Sequence, residues 1–126
     1  MTQYDVIIVG GGPAGLTAAL YTARRKLRTL IISKDLGGQA ATTTVIENYP
    51  GVGAIDGFEL MQRFRDQAVS YGAEFVLGDV HTLKPLSGGA FTVGYNTEQV
   101  QSRSIILAFG LTPRSVGVPG EAKLVG

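Results

Sequence analysis

The sequence predicts an α/β fold of the Rossmann-like kind, with a central parallel sheet and an antiparallel β-meander. Three observations predict it. An unbroken β-branched run at residues 6–9 leads into a glycine-rich turn and then a helical stretch. Further apolar runs at 29–32, 74–77 and 104–107 are separated by helical or turn-rich segments. Strands that alternate with helices are typical of a parallel sheet covered by those helices.

The turn after the first strand has the spacing Gly10-x-Gly12-x-x-Gly15. In this spacing the first glycine allows a sharp turn, the second admits a pyrophosphate, and the third lets helix and strand pack closely. Pro13 suits the first helical position, where free backbone N–H groups attract a phosphate. A purely structural turn is the alternative, but the strand before and the helix after it favour FAD or NAD(P) binding. The motif alone does not separate FAD, NAD and NADP.

The first helix is predicted over residues 13–25, because apolar residues recur there at the i, i+3, i+4, i+7 spacing. This apolar stripe consists of Leu16, Ala19, Leu20 and Ala23. The cations within residues 24–28 complement the dipole at the end of the helix. The alternative interpretation is that these cations bind a ribose 2′-phosphate.

The second strand, at residues 29–32, ends without the acid that the glycine fingerprint expects there. That acid holds a ribose hydroxyl in many dinucleotide sites. Ser33 and Lys34 stand at the position instead, and Asp35 follows them. The departure argues against a plain NAD site and leaves the adenosine contacts to backbone groups and to Ser33 or Lys34.

A polar segment without periodicity follows at residues 36–51. Long loops inside compact domains are usually functional or disordered. Gly38 and its neighbour Gly37 allow backbone to approach a ligand closely, and Gln39 and Asn48 offer amide donors and acceptors. A polar surface loop is the alternative interpretation.

A second helix is predicted from Asp56 or Gly57 to about Tyr71, followed by Gly72 as its C′ residue. Its predicted buried stripe is Leu60, Phe64, Ala68 and Tyr71. The meander strands are predicted at 79–83, 90–95 and 99–103, with turns at 87–89 and 96–98. The run at 104–107 then rejoins the parallel sheet. A ligand is therefore expected at the carboxyl ends of four parallel strands.

Length and composition fit one domain over residues 1–126, with 44% hydrophobic residues for its core. The net charge of +1 does not point to nucleic acid. No apolar run reaches the roughly 18 residues that a membrane span needs. The first strand begins almost at the first residue, which leaves no room for a signal peptide, so a cytoplasmic protein is expected.

The residue types present exclude two kinds of chemistry from the chain. It contains no cysteine, so it cannot itself carry thiol chemistry. His81, its only histidine, lies in a predicted strand and is interpreted as a surface residue. Ligands other than carboxylates are nearly lacking, so no metal site is expected.

Five segments resemble the low-molecular-weight thioredoxin reductases of bacteria and archaea. They are residues 10–15 (GGGPAG), 37–39 (GGQ), 46–51 (IENYPG), 108–110 (AFG) and 118–121 (VPGE). The resemblance spans essentially the whole chain, in the family's order and spacing. The GGQ and IENYPG pair is far more specific than the glycine fingerprint, which many flavoproteins share.

The resemblance implies that the chain is the N-terminal part of an FAD-binding domain. The residues expected at the cofactor, from their own pattern or from the resemblance, are Gly10, Gly12, Pro13, Ala14, Gly15, Ser33, Lys34, Gly38, Gln39, Asn48, Val80, Ala108 and Gly110. By resemblance, the glycine turn holds the pyrophosphate, and Gln39 and Asn48 lie by the ribityl chain and isoalloxazine ring. Backbone at Val80 meets the adenine, and Gly110 closes the turn beside the dinucleotide. Phe109 replaces the family's usual threonine, so no hydroxyl contact is expected there.

In the family, NADPH reduces FAD, FAD reduces a Cys-x-x-Cys pair, and that pair reduces thioredoxin. The resemblance also implies a homodimer, and an NAD(P)H domain and a last FAD-domain segment beyond residue 126. The chain is thus expected to be incomplete for turnover and inactive alone as a disulfide reductase. Two alternatives stay open: a ferredoxin–NADP reductase of the thioredoxin reductase type, without the cysteine pair, and a non-catalytic dinucleotide-binding or dimerisation module.

Overall fold

The computed structural model of the chain describes residues 1–124. The end of the domain predicted over residues 1–126 therefore lies outside the described residues. The helices and strands, in chain order, are β1 (Gln3–Val9), α1 (Pro13–Arg24), β2 (Thr29–Ser33), α2 (Gly57–Ser70), β3 (Glu74–Leu77), β4 (Val80–Pro85), β5 (Phe91–Tyr95) and β6 (Glu98–Leu107). Short 3₁₀ helices lie at Gly38–Thr42 and Glu121–Lys123.

The six strands form one sheet in the order β3-β2-β1-β6-β5-β4. Strands β3, β2, β1 and β6 pair in parallel, whereas β6, β5 and β4 pair antiparallel. The predicted α/β class with a parallel core and a meander is confirmed. Because β2 and β6 flank β1 on opposite sides, the direction of strand order reverses at β1, and a crevice opens at its carboxyl end.

Strand β6 belongs to both parts of the sheet. The prediction of separate strands at 99–103 and 104–107 is wrong, because Glu98–Leu107 is one continuous strand. Residues 98–102 pair with β5, and residues of the same strand from 101 to 107 pair with β1. No glycine or proline interrupts the strand, so nothing in its backbone forces a break there.

Strands β1 and β2 are buried on both faces, as their β-branched runs predict. On one face they pack against the two helices, through Val6, Ile8, Ile31, Leu16, Ala19, Ala23, Leu60, Met61 and Ala68. On the other they pack against β5 and β6, through Tyr4, Ile7, Leu30, Ile32, Val93, Tyr95 and Val100. The meander therefore covers the face of the parallel sheet that the helices leave open.

The two helices follow their predicted stripes with one exception. Asp56 caps α2, since its carboxylate accepts a hydrogen bond from the backbone amide three residues on, at 3.1 Å. Tyr71, predicted to be buried, is 54% exposed because α2 ends one residue before it. Met61, which the stripe omitted, is buried instead. No helix within residues 1–124 is both long and apolar enough to cross a membrane.

A tyrosine network joins the amino ends of the parallel strands, at the edge opposite the crevice. The hydroxyl of Tyr4 donates to Oε2 of Glu74 at 2.8 Å. The guanidinium of Arg28 lies 4.8 Å from the centre of the Tyr4 ring. Burial first, and then the hydrogen bond to Glu74, raise the pKa of Tyr4 to about 12.

This pKa predicts a loss of stability at high pH. Below about pH 10 Tyr4 keeps its proton in the folded and the unfolded chain, so its contribution to stability is complete. From about pH 10 to 12 only the unfolded chain releases the proton, and the free energy of unfolding falls. Urea unfolding measured across this pH window is expected to show that the free energy of unfolding falls less steeply with pH for Tyr4→Phe than for the wild type. Tyr21→Phe, at a position 63% exposed, is the control and should keep the wild-type slope. Equal slopes for wild type and Tyr4→Phe would contradict the assignment.

Candidate dinucleotide-binding site

A cleft of about 870 Å³ lies at the carboxyl ends of the parallel strands. Gly10 follows β1, Ser33 ends β2, Gly78 follows β3 and Ala108 follows β6, and all four residues line it. Its volume falls in the range of roughly 300–1,000 Å³ that is typical of small-molecule sites. The cleft therefore occupies the edge of the sheet where the sequence predicts a ligand.

Most of the residues predicted to contact a cofactor come together in this cleft. Those that line it are Gly10, Gly12, Pro13, Ala14, Ser33, Lys34, Gly38, Gln39, Val80, Ala108 and Gly110. Two predicted residues do not. Gly15 is buried beneath the glycine turn, and Asn48 lines a second pocket beside the cleft.

Two glycines of the fingerprint are required by the fold itself. Gly10 has a φ of +114°, and a Cβ built on it would collide with the carbonyl of Ala108. A Cβ on Gly15 would collide with the carbonyl oxygen of Gly10. These contacts bring β1, β6 and the start of α1 closer together than any side chain would allow.

Gly12 differs, because the described residues leave space beside it. Its φ of −83° suits any residue, and an added Cβ would meet nothing nearer than the Gly37 carbonyl at 3.7 Å. A side chain here would project into the cleft rather than clash with the fold. The space fits the part of a dinucleotide that lies against backbone, which is its pyrophosphate.

The start of α1 lies beside this space, and no acidic side chain in its first turn offsets the partial positive charge of the helix dipole. Gly12 is the N-cap and has no side chain to cap the helix, and the first turn holds no acidic residue. The first amides of a helix have no acceptor within the helix, and its dipole favours an anion there. The chemistry of the site therefore fits a phosphate group, as the predicted cofactor requires.

Ser33 holds the turn in place. Its side-chain oxygen accepts a hydrogen bond from the amide of Gly11 at 2.8 Å, and the residue is buried. The carbonyl of Gly11 in turn accepts from the amide of Gly37 at 2.7 Å. Ser33, predicted as an adenosine contact, thus also serves the turn, and its O–H remains a donor.

Sequence reasoning missed several residues that line the cleft. These are Val9, Gly11, Ile32, Asp35, Ala40, Thr42, Gly78, Asp79, Phe109, Leu111, Thr112 and Pro113. Asp79 lies between β3 and β4, and its carboxylate is 3.3 Å from Nζ of Lys34. The available signal was its place just after a parallel strand, at the edge where ligands bind.

The far wall of the cleft comes from the segment after β6. Gln39 donates through Nε2 to the carbonyl of Leu111 at 3.4 Å, which links the two walls. Further along, the carboxylate of Glu121 accepts hydrogen bonds from the amides of Val116 and Gly117 at 2.8 and 2.9 Å. These amide bonds, with one from the Ser115 hydroxyl, hold the pKa of Glu121 below its usual value. The segment thus has internal bonds that fix its course.

The second pocket, of about 450 Å³, lies beside the cleft and shares Pro13, Ala14 and Ala40 with it. Its remaining lining is Thr17, Ile46, Asn48, Tyr49, Leu60, Met61 and Phe64. The rings of Tyr49 and Phe64 lie 5.6 Å apart. Asn48 therefore presents an amide in a mainly apolar pocket. This pocket adjoins the cleft at the start of α1, where the two share Pro13 and Ala14.

The contrast between Gly12 and Gly15 gives a stability prediction. Gly15→Ala forces the Gly10 carbonyl to move, and overpacking of this kind costs about 1–3 kcal/mol. Gly12→Ala is expected to cost less than about 1 kcal/mol, through poorer capping of the helix alone. Thermal or urea unfolding of both variants without ligand tests this. An equal loss in the two variants would show that the fold needs Gly12 as much as Gly15.

Comparisons with known proteins identify the family of the chain. Residues 4–126 match the family model described as pyridine nucleotide-disulphide oxidoreductase. The thioredoxin reductase of Mycolicibacterium smegmatis is 46% identical over 127 residues, covering 99% of this chain and 40% of that protein. That of Bacillus subtilis is 42% identical over 125 residues, covering 98% of this chain and 39% of its own length.

A solved structure of a thioredoxin reductase from Gloeobacter violaceus superposes with a TM-score of 0.85 at 42% identity. It is matched over 98% of this chain and 42% of its own length. The chain therefore spans about two fifths of the length of the relatives it matches. The glycine turn, the Rossmann-like fold and these matches together show that the chain belongs to the pyridine nucleotide-disulphide oxidoreductase family.

Proposed function

We propose that the cleft binds FAD and that the chain is the flavin-binding part of a thioredoxin reductase. The observation that carries the proposal is the space beside Gly12, the one fingerprint glycine that the fold does not itself require. Packing of the turn requires glycine at positions 10 and 15, whereas at position 12 the fold leaves room for a side chain. A pyrophosphate that lies against the turn would occupy this room.

The residues of the turn would bind the pyrophosphate through backbone. The amides of Ala14 and Gly15 begin α1 and are directed by the turn, which the Ser33 hydroxyl fixes through Gly11. Gly38, with a φ of +54°, lies near the turn, because a Cβ built on it would be 3.7 Å from Cα of Gly12. Preorganised amides of this kind bind an anion without a cationic side chain.

The remaining assignments rest on the resemblance to thioredoxin reductases, and the positions of the residues along the cleft are compatible with them. Lys34 and the backbone of Val80 would lie at the adenosine end, next to the carboxyl ends of β2 and β3. Ala108 and Gly110 would close the turn beside the dinucleotide. Gln39 and Asn48 would contact the ribityl chain and the isoalloxazine ring, since Asn48 lies on the pocket that adjoins the cleft.

The reaction that we propose passes reducing equivalents from NADPH to thioredoxin. FAD, when bound, supplies the chemistry that couples the nicotinamide to a disulfide. This chain would bind and orient the flavin, but it has no cysteine, so the cysteine pair is not among its residues. Similarity to thioredoxin reductases supports this assignment. We further propose that the protein is a homodimer and that it acts in the cytoplasm.

Flavin binding tests the assignment of the cleft. Purified wild-type chain titrated with FAD is expected to bind it weakly, as followed by the change in flavin absorbance. Gly12→Val is expected to remain folded but to bind FAD at least about tenfold more weakly, equivalent to 1.4 kcal/mol, because its side chain fills the place of the pyrophosphate. Ala54→Val, at an exposed position outside the cleft, is the control. Wild-type affinity for FAD in folded Gly12→Val would refute the placement.

Asn48→Leu tests the flavin end of the proposed site. Asn48 is exposed, so its loss should change the melting temperature little. The absorbance spectrum of bound flavin should shift, because an amide beside the ring is replaced by an alkyl group. Glu47→Gln, a neighbouring change outside both pockets, should leave the spectrum as it is. A large drop in melting temperature with an unchanged spectrum would make Asn48 a structural residue.

A further inference from the structure

The adenosine end of the cleft lacks the carboxylate that dinucleotide-binding folds place at the end of the second strand. That carboxylate accepts a hydrogen bond from the ribose 2′-hydroxyl. In this chain Ser33 ends β2, and its oxygen accepts the Gly11 amide at 2.8 Å. Ser33 is neutral, buried and engaged, so the usual partner of the ribose is missing from its usual position.

A different carboxylate lies at the same end of the cleft, just after the neighbouring strand β3. Asp79 follows β3, lines the cleft beside Val80, and lies 3.3 Å from Nζ of Lys34, which directly follows β2. The ion pair therefore spans the gap between the ends of β2 and β3. The Asp79 side chain is 63% exposed, so its carboxylate is accessible to solvent and to a ligand.

The backbone around Asp79 is fixed by the turn between β5 and β6. Its amide donates to Oδ1 of Asn96 at 3.0 Å, and its carbonyl accepts from the amide of Asn96 at 3.2 Å. Gly78 beside it is also tightly placed, because an added Cβ would lie 2.8 Å from the Tyr95 ring. The carboxylate thus projects from a segment that is held on both sides.

Asp35 is the competing carboxylate at this end of the cleft. It lies two residues after the end of β2 and also lines the cleft. Its Oδ1 accepts a hydrogen bond at 3.0 Å from the amide of Gly38, the first residue of the 3₁₀ helix. Asp35 is therefore bonded to the loop, whereas Asp79 is paired with Lys34 at the ends of β2 and β3.

We propose that Asp79 replaces the missing acid and accepts a hydrogen bond from the adenosine ribose 2′-hydroxyl, with Lys34 as its positioning residue. The inference rests on the proposed dinucleotide function of the cleft. Two consequences follow from the charge. A ligand without the 2′-hydroxyl loses the bond to the carboxylate, and a ligand with a 2′-phosphate is repelled by it.

The experiment compares three ligands by calorimetric titration: ADP, 2′-deoxy-ADP and ADP with a phosphate on O2′. The wild-type chain is expected to bind ADP about three- to tenfold more tightly than 2′-deoxy-ADP, as for a hydrogen bond to a charged group that is partly exposed. Asp79→Asn should reduce this ratio towards one and should bind the 2′-phosphorylated ligand more tightly than the wild type does. Asp35→Asn, the matched control, should keep the wild-type ratio.

Lys34 is tested separately, because a positioning residue acts only through its partner. Lys34→Met should lower the ratio of ADP to 2′-deoxy-ADP affinity in the wild-type background and leave it unchanged in Asp79→Asn. Discrimination that survives Asp79→Asn, or that disappears in Asp35→Asn instead, would overturn the inference while leaving the cleft a dinucleotide site. Failure of the folded wild-type chain to bind FAD or any of the three ligands would overturn the proposed function as well.

Discussion

The contact on which the structure depends is the approach of the Gly10 carbonyl to Gly15, where no Cβ can be accommodated. It lets α1 begin directly above the end of β1, and so it directs the first amides of the helix into the cleft. The same turn brings Gly10 against Ala108, which sets the distance between β1 and β6 at their carboxyl ends. The same close contacts therefore pack the sheet and direct the amides of α1 towards the cleft. Gly12 alone among the three fingerprint glycines takes no part in these contacts. A substitution at Gly12 therefore tests ligand binding with little effect on folding.

The path of the sheet explains how distant segments reach this turn. Strands β3 and β4 are the outermost strands of the sheet order, yet only residues 78 and 79 separate them in sequence. The sheet therefore curves until its two ends meet, and the turn at Asn96 bonds to Asp79 where they do. The meander covers one face of the parallel strands and also fixes the backbone beside the cleft. Its role is to build one wall of the site as well as to complete the core.

The elements that the sequence predicts correctly are those whose signal is local. The β-branched runs, the glycine turn and the apolar spacing of α1 each determine structure within a few residues. Tyr71 was misplaced because helix periodicity does not state where the helix ends. Ser33 lines the cleft, but the sequence could not show that its oxygen also accepts a hydrogen bond from the Gly11 amide. The place of Asp79 just after β3 could be predicted from the sequence, but its ion pair with Lys34 and its bonds to Asn96 could not, because they depend on the tertiary structure.

On the proposed assignment, two tasks are divided between Ser33 and Asp79. The turn needs an acceptor for the Gly11 amide, and that acceptor is buried beneath the cleft. A carboxylate there would have to give up its hydration, whereas a serine hydroxyl loses far less. The ribose needs an acceptor that a ligand can reach, and the exposed Asp79 carboxylate keeps both its hydration and its partner Lys34. A neutral acceptor within the turn and a charged one at the surface therefore serve both tasks without burying a charge.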